Sequence, residues 1–118
     1  MTDNDRQLLI FASEVAGIKI ESITSNGLYF GGLEGRIWNP LECDGDALRL
    51  AVKLKISIYA DDDSYVFAVE KEQRKAETSD KETHLGWCEC WNDDPAADTR
   101  RAIVRAAAEI AIKLVKTL

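Results

Sequence analysis

Leu8, Phe11, Ala12, Val15 and Ala16 recur at spacings of three and four, which sets them along one stripe of a helix. That helix is predicted over about Asp3 to Ala16. Thr2 caps it, Asp5 completes a capping-box arrangement, and Gly17 supplies a left-handed stop. The period then falls to two. Ile18 to Glu21 alternates apolar and polar as a half-buried strand does. Asn26-Gly27 signals a type I′ hairpin turn, with Leu28-Tyr29-Phe30 as the returning strand. Arg36-Ile37-Trp38 is a short third strand that ends at Asn39-Pro40, because proline cannot donate to a ladder. A second helix runs from about Gly45 to Leu54 with Asp44 as its cap. It turns Ala47, Leu50, Ala51 and Leu54 inward and Arg49 and Lys53 outward.

Three more strands are predicted: Lys55 to Ala60, Tyr65 to Glu70, and one that puts Leu85, Trp87, Glu89 and Trp91 on one face and His84, Gly86, Cys88 and Cys90 on the other. Residues 71–82, charged and without a large apolar side chain, read as a solvated hairpin tip or a mobile loop. The last helix starts at Asp94-Pro95, and its stripe is Ile103, Val104, Ala107, Ile110, Ala111, Leu114, Val115 and Leu118. The expected fold is a single α+β domain over residues 1–118, a sandwich in the order α-β-β-β-α-β-β-β-α. Its mainly antiparallel sheet packs against the helices.

Length and composition agree with that reading. The chain has 118 residues, of which 46% are hydrophobic and 31% charged, which leaves room for one core and excludes disordered and low-complexity classes. Leu8 to Ala12 is too short an apolar run to span a bilayer, and the acidic N-terminus is unlike a signal peptide. Three cysteines, two of them at Cys88 and Cys90, point to free thiols in a reducing cytoplasm. The net charge of −6 is unevenly distributed. Residues 61–98 carry four basic against twelve acidic side chains, whereas residues 99–118 carry five against one. Free duplex nucleic acid is a poor partner for so acidic a chain, because phosphate neutralisation supplies most non-specific affinity.

Three constellations could carry chemistry. Trp38, Asn39, Asp44 and Asp46 form either a strand exit with an acidic helix start or the lip of a ligand pocket. Arg100, Arg101 and Arg105 lie near a helix N-terminus, where cations oppose the macrodipole. They are offset by the protein's own aspartates or serve an anion. His84, Cys88 and Cys90 are weak metal candidates. His84 lies roughly 13 Å along the strand from Cys88, too far for one closed site, so small buried thiols are the expectation and no metal or cofactor is assigned. There is no Gly-x-Ser-x-Gly elbow and no phosphate-cradling Gly-x4-Gly-Lys-Ser/Thr loop. Leu9, Ile10 and Leu48 fall off the main stripes and could mark a homodimer surface.

Two stretches resemble a family. Trp38-Asn39-Pro40-Leu41 followed by Asp44 to Leu54, and Asp94-Pro95 leading to Thr99 to Glu109, are similar to small phage and prophage proteins of the phage alpha-beta-alpha sandwich family. Phage NinX-like proteins are looser relatives by the same resemblance. It implies a sheet held between helices, a phage or prophage origin, and action in the bacterial cytoplasm. It assigns no activity and no role to His84 or the cysteines. The leading expectation is a non-catalytic accessory protein that binds a host or phage protein, with an acidic inhibitor of a host defence complex as its sharper form. The rival is a small anionic-ligand binder or modest enzyme with a pocket around Trp38, Asp44, Asp46, Arg100 and Arg101.

Overall fold

A computed structural model describes residues 2–31, 35–60, 65–70, 86–90 and 94–116, with side chains characterised at only part of the last three strands and the final helical turn. Residues 71–82 and His84 lie outside the described residues, as do the side chains of Cys88 and Cys90.

The first helix, α1 (Asp3–Ala16), has the ends its sequence demands. The Thr2 hydroxyl accepts from the Asp5 amide at 3.1 Å, and Gly17 closes the helix at φ +72°. Its buried face differs from the predicted stripe. Leu9, Ala12, Ser13 and Ala16 are buried, whereas Leu8 and Val15 are only half-buried. Leu9 is therefore core, not a candidate for self-association. The rotation suits the partner, since α1 packs on the alanine-rich last helix and small residues let two helices approach. Ser13 is tolerated there because its hydroxyl donates to the Ile10 carbonyl at 2.7 Å.

Strands β1 (Ile20–Thr24), β2 (Gly27–Phe30) and β3 (Arg36–Trp38) form one antiparallel sheet in that order. The first hairpin turns one residue earlier than the Asn26-Gly27 signal indicates. Ser25 and Asn26 make the connection, neither has positive φ, and Gly27 already pairs with Thr24. Thr24 explains the shift, because its hydroxyl accepts from the Asn26 amide and donates to the Gly27 carbonyl. Gly27 is needed for close approach instead. A Cβ there would stand 2.7 Å from the Trp38 carbonyl oxygen.

Helix α2 (Asp44–Leu54) starts one residue before the expected position. Cys43 is its cap, with no side-chain bond, and Asp44 belongs to the first turn. Lys55 adopts the left-handed conformation at φ 57° and turns the chain directly into β4 (Ile56–Ala60). With β5 (Tyr65–Glu70) and β6 (Gly86–Cys90), β4 forms a second antiparallel sheet. The strands thus divide into two three-stranded sheets where one mainly antiparallel sheet is expected. Pro40 and α2 separate β3 from β4, so the first ladder ends at Trp38.

Helix α3 (Pro95–Lys116) is central. It packs on α1 and α2 and on all three strands of the second sheet, which buries Ala102, Ile103, Val104, Ala106, Ala107 and Ala108. Its apolar surface is wider than one stripe because it has neighbours on several sides. Leu114, placed in that stripe by periodicity, is 56% exposed near the helix end. The order is helix, three strands, helix, three strands, helix, an α+β domain. Among the described residues no helix is long and apolar enough to cross a membrane.

Candidate functional site at the junction of β3 and α2

Asn39 leaves β3 buried, and every polar group it owns is used. Its amide N–H donates to Asp46 Oδ2 at 3.0 Å, and its Nδ2 donates to the Asn26 carbonyl at 2.9 Å. Its Oδ1 accepts from the Leu41 amide, and its own carbonyl accepts from the Glu42 and Cys43 amides. An asparagine suits this position because one short side chain supplies a donor to one turn and an acceptor to the next. Asp46, buried in the first turn of α2, receives Arg49 Nη2 on its second oxygen at 2.7 Å. The helix N-terminus and these two donors together offset the burial of a carboxylate.

The arginines of α3 diverge. Arg100 Nε donates to the Leu41 carbonyl at 2.8 Å and Nη1 to Asp44 Oδ1 at 2.6 Å, so α3 grips the loop ahead of α2. Arg101, one position on and about 100° around the helix, donates to Asp5 of α1 at 3.1 Å. Arg105 is half-buried in the same helix and has an interaction partner of its own. The structure therefore joins Asn39 to Asp46 and Asp44 to Arg100, and sends Arg101 elsewhere. Asp94 caps α3 by accepting from the Ala97 amide at 3.2 Å.

Trp38 immediately precedes Asn39 as the last residue of β3. It is 5% exposed and helps line a cleft of about 180 Å³ between the inner face of the first sheet, the end of α1 and helix α2. Arg36, Arg49 and Lys53 line the same cleft. Sequence reasoning missed this grouping, although it held the signals. Arg36 precedes Trp38 by two on one strand, and Arg49 precedes Lys53 by four on one helix, so each pair shares a face. The strand register was the missing link, since it sets Arg36 opposite Phe30 and Trp38 opposite Leu28. Arg36 lies over the Phe30 ring at 5.5 Å from its centroid. The Lys53 ammonium donates to the Ala16 carbonyl at the end of α1, a helix with no basic residue in its own last turn.

Cys43 is a free, exposed thiol. Among the described residues no group of three or more His, Cys, Asp or Glu side chains could hold a metal ion. No protein-family model, curated protein or solved structure matches the chain.

Proposed function

We propose that the protein is a non-catalytic accessory protein of a phage or prophage that acts in the bacterial cytoplasm by binding a host or phage protein. The observation that carries this reading is the use made of Asn39, Asp46, Arg100 and Arg101. These are residue types a catalyst would draw on, and each is bonded within the molecule, tying β3, α2, α1 and α3 into one frame. The constellation serves as scaffold. On the far side of α2 from the core, Leu48 and Val52 are 60% and 67% exposed one helical turn apart. A lone exposed leucine is ordinary, but a stacked pair on a braced helix is a ready contact for a partner. The acidic excess of residues 61–98 supports a basic partner surface, and inhibition of a host defence complex is the sharper form of the proposal. Phage origin and an α-β-α layering follow from the family resemblance.

Affinity capture from phage-infected bacteria tests the reading, with the native protein and a Leu48→Asp/Val52→Asp variant as baits. The expected result is one protein retained by the native bait in near-equal amount, released by salt and lost from the variant. Identical background from both baits overturns it. A mass that halves in the variant by sedimentation assigns the pair to a homodimer instead.

A further inference from the structure

The cleft beside Trp38 collects three cations in a protein of net charge −6, and among the described residues that line it none is a carboxylate. The cations come from separate elements. Arg36 stands on β3, held over the Phe30 ring, and has no carboxylate partner among the described residues. Arg49 and Lys53 stand one turn apart on α2. Each keeps donors to spare. Arg49 commits one N–H to Asp46 Oδ1 of the five a guanidinium owns, and Lys53 commits one of three to the Ala16 carbonyl. These fixed bonds hold both heads near the cleft, which lowers the ordering cost of binding. Trp38 and Leu50 give it an apolar wall.

We propose that this cleft binds a small phosphomonoester, with its phosphate on Arg36, Arg49 and Lys53 and its organic body against Trp38 and Leu50. A carboxylate matches a single guanidinium fork. Three cations match a head group of charge near −2 with three acceptor oxygens. The volume sets the size of the body: a cavity of about 150 Å³ accommodates one benzene ring, and this cleft measures about 180 Å³. One ring-sized group therefore fits beside the wall, with the phosphate toward the cationic rim. The site goes beyond the macromolecular reading and depends on different residues.

Phenyl phosphate is the probe, followed by backbone amide shifts in a low-salt NMR titration, with inorganic phosphate, phenol and benzoate as comparisons. Saturable shifts confined to residues 36–38 and 49–53 are expected with phenyl phosphate, at lower concentration than with inorganic phosphate or benzoate and not at all with phenol. Arg36→Gln, which breaks no ion pair among the described residues, weakens binding about tenfold while leaving the spectrum folded. Lys53→Met gives a second, independent loss. A neutral Leu48→Ser/Val52→Ser variant, which removes the exposed apolar pair without placing carboxylates beside Arg49 and Lys53, binds the probe as the native protein does while losing partner capture, so the two readings fail separately. The proposal is overturned if these amides do not respond at millimolar phenyl phosphate, if benzoate binds as tightly, or if Arg36→Gln leaves the affinity unchanged.

Discussion

The Asn39 amide donates to the Asp46 carboxylate at 3.0 Å, closing the seven-residue span in which a β-strand becomes a helix. The bond runs from the last residue of a sheet exit to the first turn of α2, where the helix dipole favours a negative charge. The entry direction of α2 is therefore fixed by the sheet. Arg100 adds a clamp from α3 on the intervening loop at Leu41 and Asp44. Four elements are registered through a few side chains, and the placement of the Trp38 cleft depends on that registration.

Asn39→Ala tests the centre of this arrangement. The substitution keeps the backbone bonds but orphans the Asn26 carbonyl and the Leu41 amide, each of which now bonds the side chain. Net loss of a hydrogen bond is worth about 1 kcal/mol, and the two orphaned partners belong to the exposed Asn26 and the half-buried Leu41, so a cost of about 2 kcal/mol is expected. The urea midpoint should fall with an unchanged slope. A loss below about 1 kcal/mol would show that water replaces the side chain at both turns.

Arg100 and Asp44 should differ in cost although they form one ion pair. The Arg100 side chain is 15% exposed and also serves the Leu41 carbonyl, whereas the Asp44 side chain is 80% exposed. Solvent screens the pair, so Asp44→Ala should cost no more than about 0.5 kcal/mol. Arg100→Ala also removes the carbonyl bond and the packing of its stem, and should cost about 1–2 kcal/mol. Urea denaturation of both single variants and the double variant measures this. A coupling energy approaching the whole effect of Arg100→Ala would mean that the salt bridge, not the carbonyl, anchors the loop.

Local chemistry was readable from the sequence wherever it acts over a few residues. The Thr2 cap, the Gly17 stop, the extents of β3 and β5 and the Asp94-Pro95 start all follow from side chains next to the backbone they serve. Readings failed where a distant partner decides. Leu9 is core because α3 lies on that side of α1, and Ala102, Ala106 and Ala108 are buried because α3 has neighbours on several faces. The hairpin is the exception, since a local group decides it: the Thr24 hydroxyl organises the turn and shifts it by one residue. Of the site, the proximity of Asp44 to Arg100 was legible from charge sign. The cleft was not, because its cations are contributed by a strand and a helix whose relative placement no local pattern encodes.

Lys53 has a structural duty besides lining the cleft. Helix α1 has acids in its first turn and no base in its last, and Lys53 of α2 supplies the missing cation at the Ala16 carbonyl. Lys53→Met keeps the aliphatic stem and removes the ammonium. The expected loss is about 0.5–1 kcal/mol, the size of a cation at a half-exposed helix C-terminus. Amide hydrogen exchange should localise it, with faster exchange at Gly17 and Ile18, whose N–H groups close the end of α1. Uniformly faster exchange across all three helices would instead place Lys53 in the global core.

Gly27 and Gly17 both have positive φ, but they are expected to tolerate alanine very differently. At Gly17, φ is +72° and the added Cβ meets only the tip of Lys53 at 3.3 Å, which need give by only a few tenths of an ångström and keeps its bond to the Ala16 carbonyl. Gly17→Ala should therefore cost about 1 kcal/mol, the ordinary penalty for a left-handed alanine. At Gly27, φ is +139°, and the Cβ would lie 2.7 Å from the Trp38 carbonyl oxygen and 2.9 Å from Asn39 Cβ. Neither neighbour can yield, since the ladder fixes Trp38 and several hydrogen bonds fix Asn39. Backbone strain and overpacking each contribute about 1–3 kcal/mol, so Gly27→Ala should cost about 3–5 kcal/mol. That is a large share of the stability of a domain this size. Near-ultraviolet circular dichroism and urea midpoints of the two variants make the comparison. Equal costs would mean that β2 and β3 can separate at this point, and that the close approach under Trp38 is not what requires a glycine.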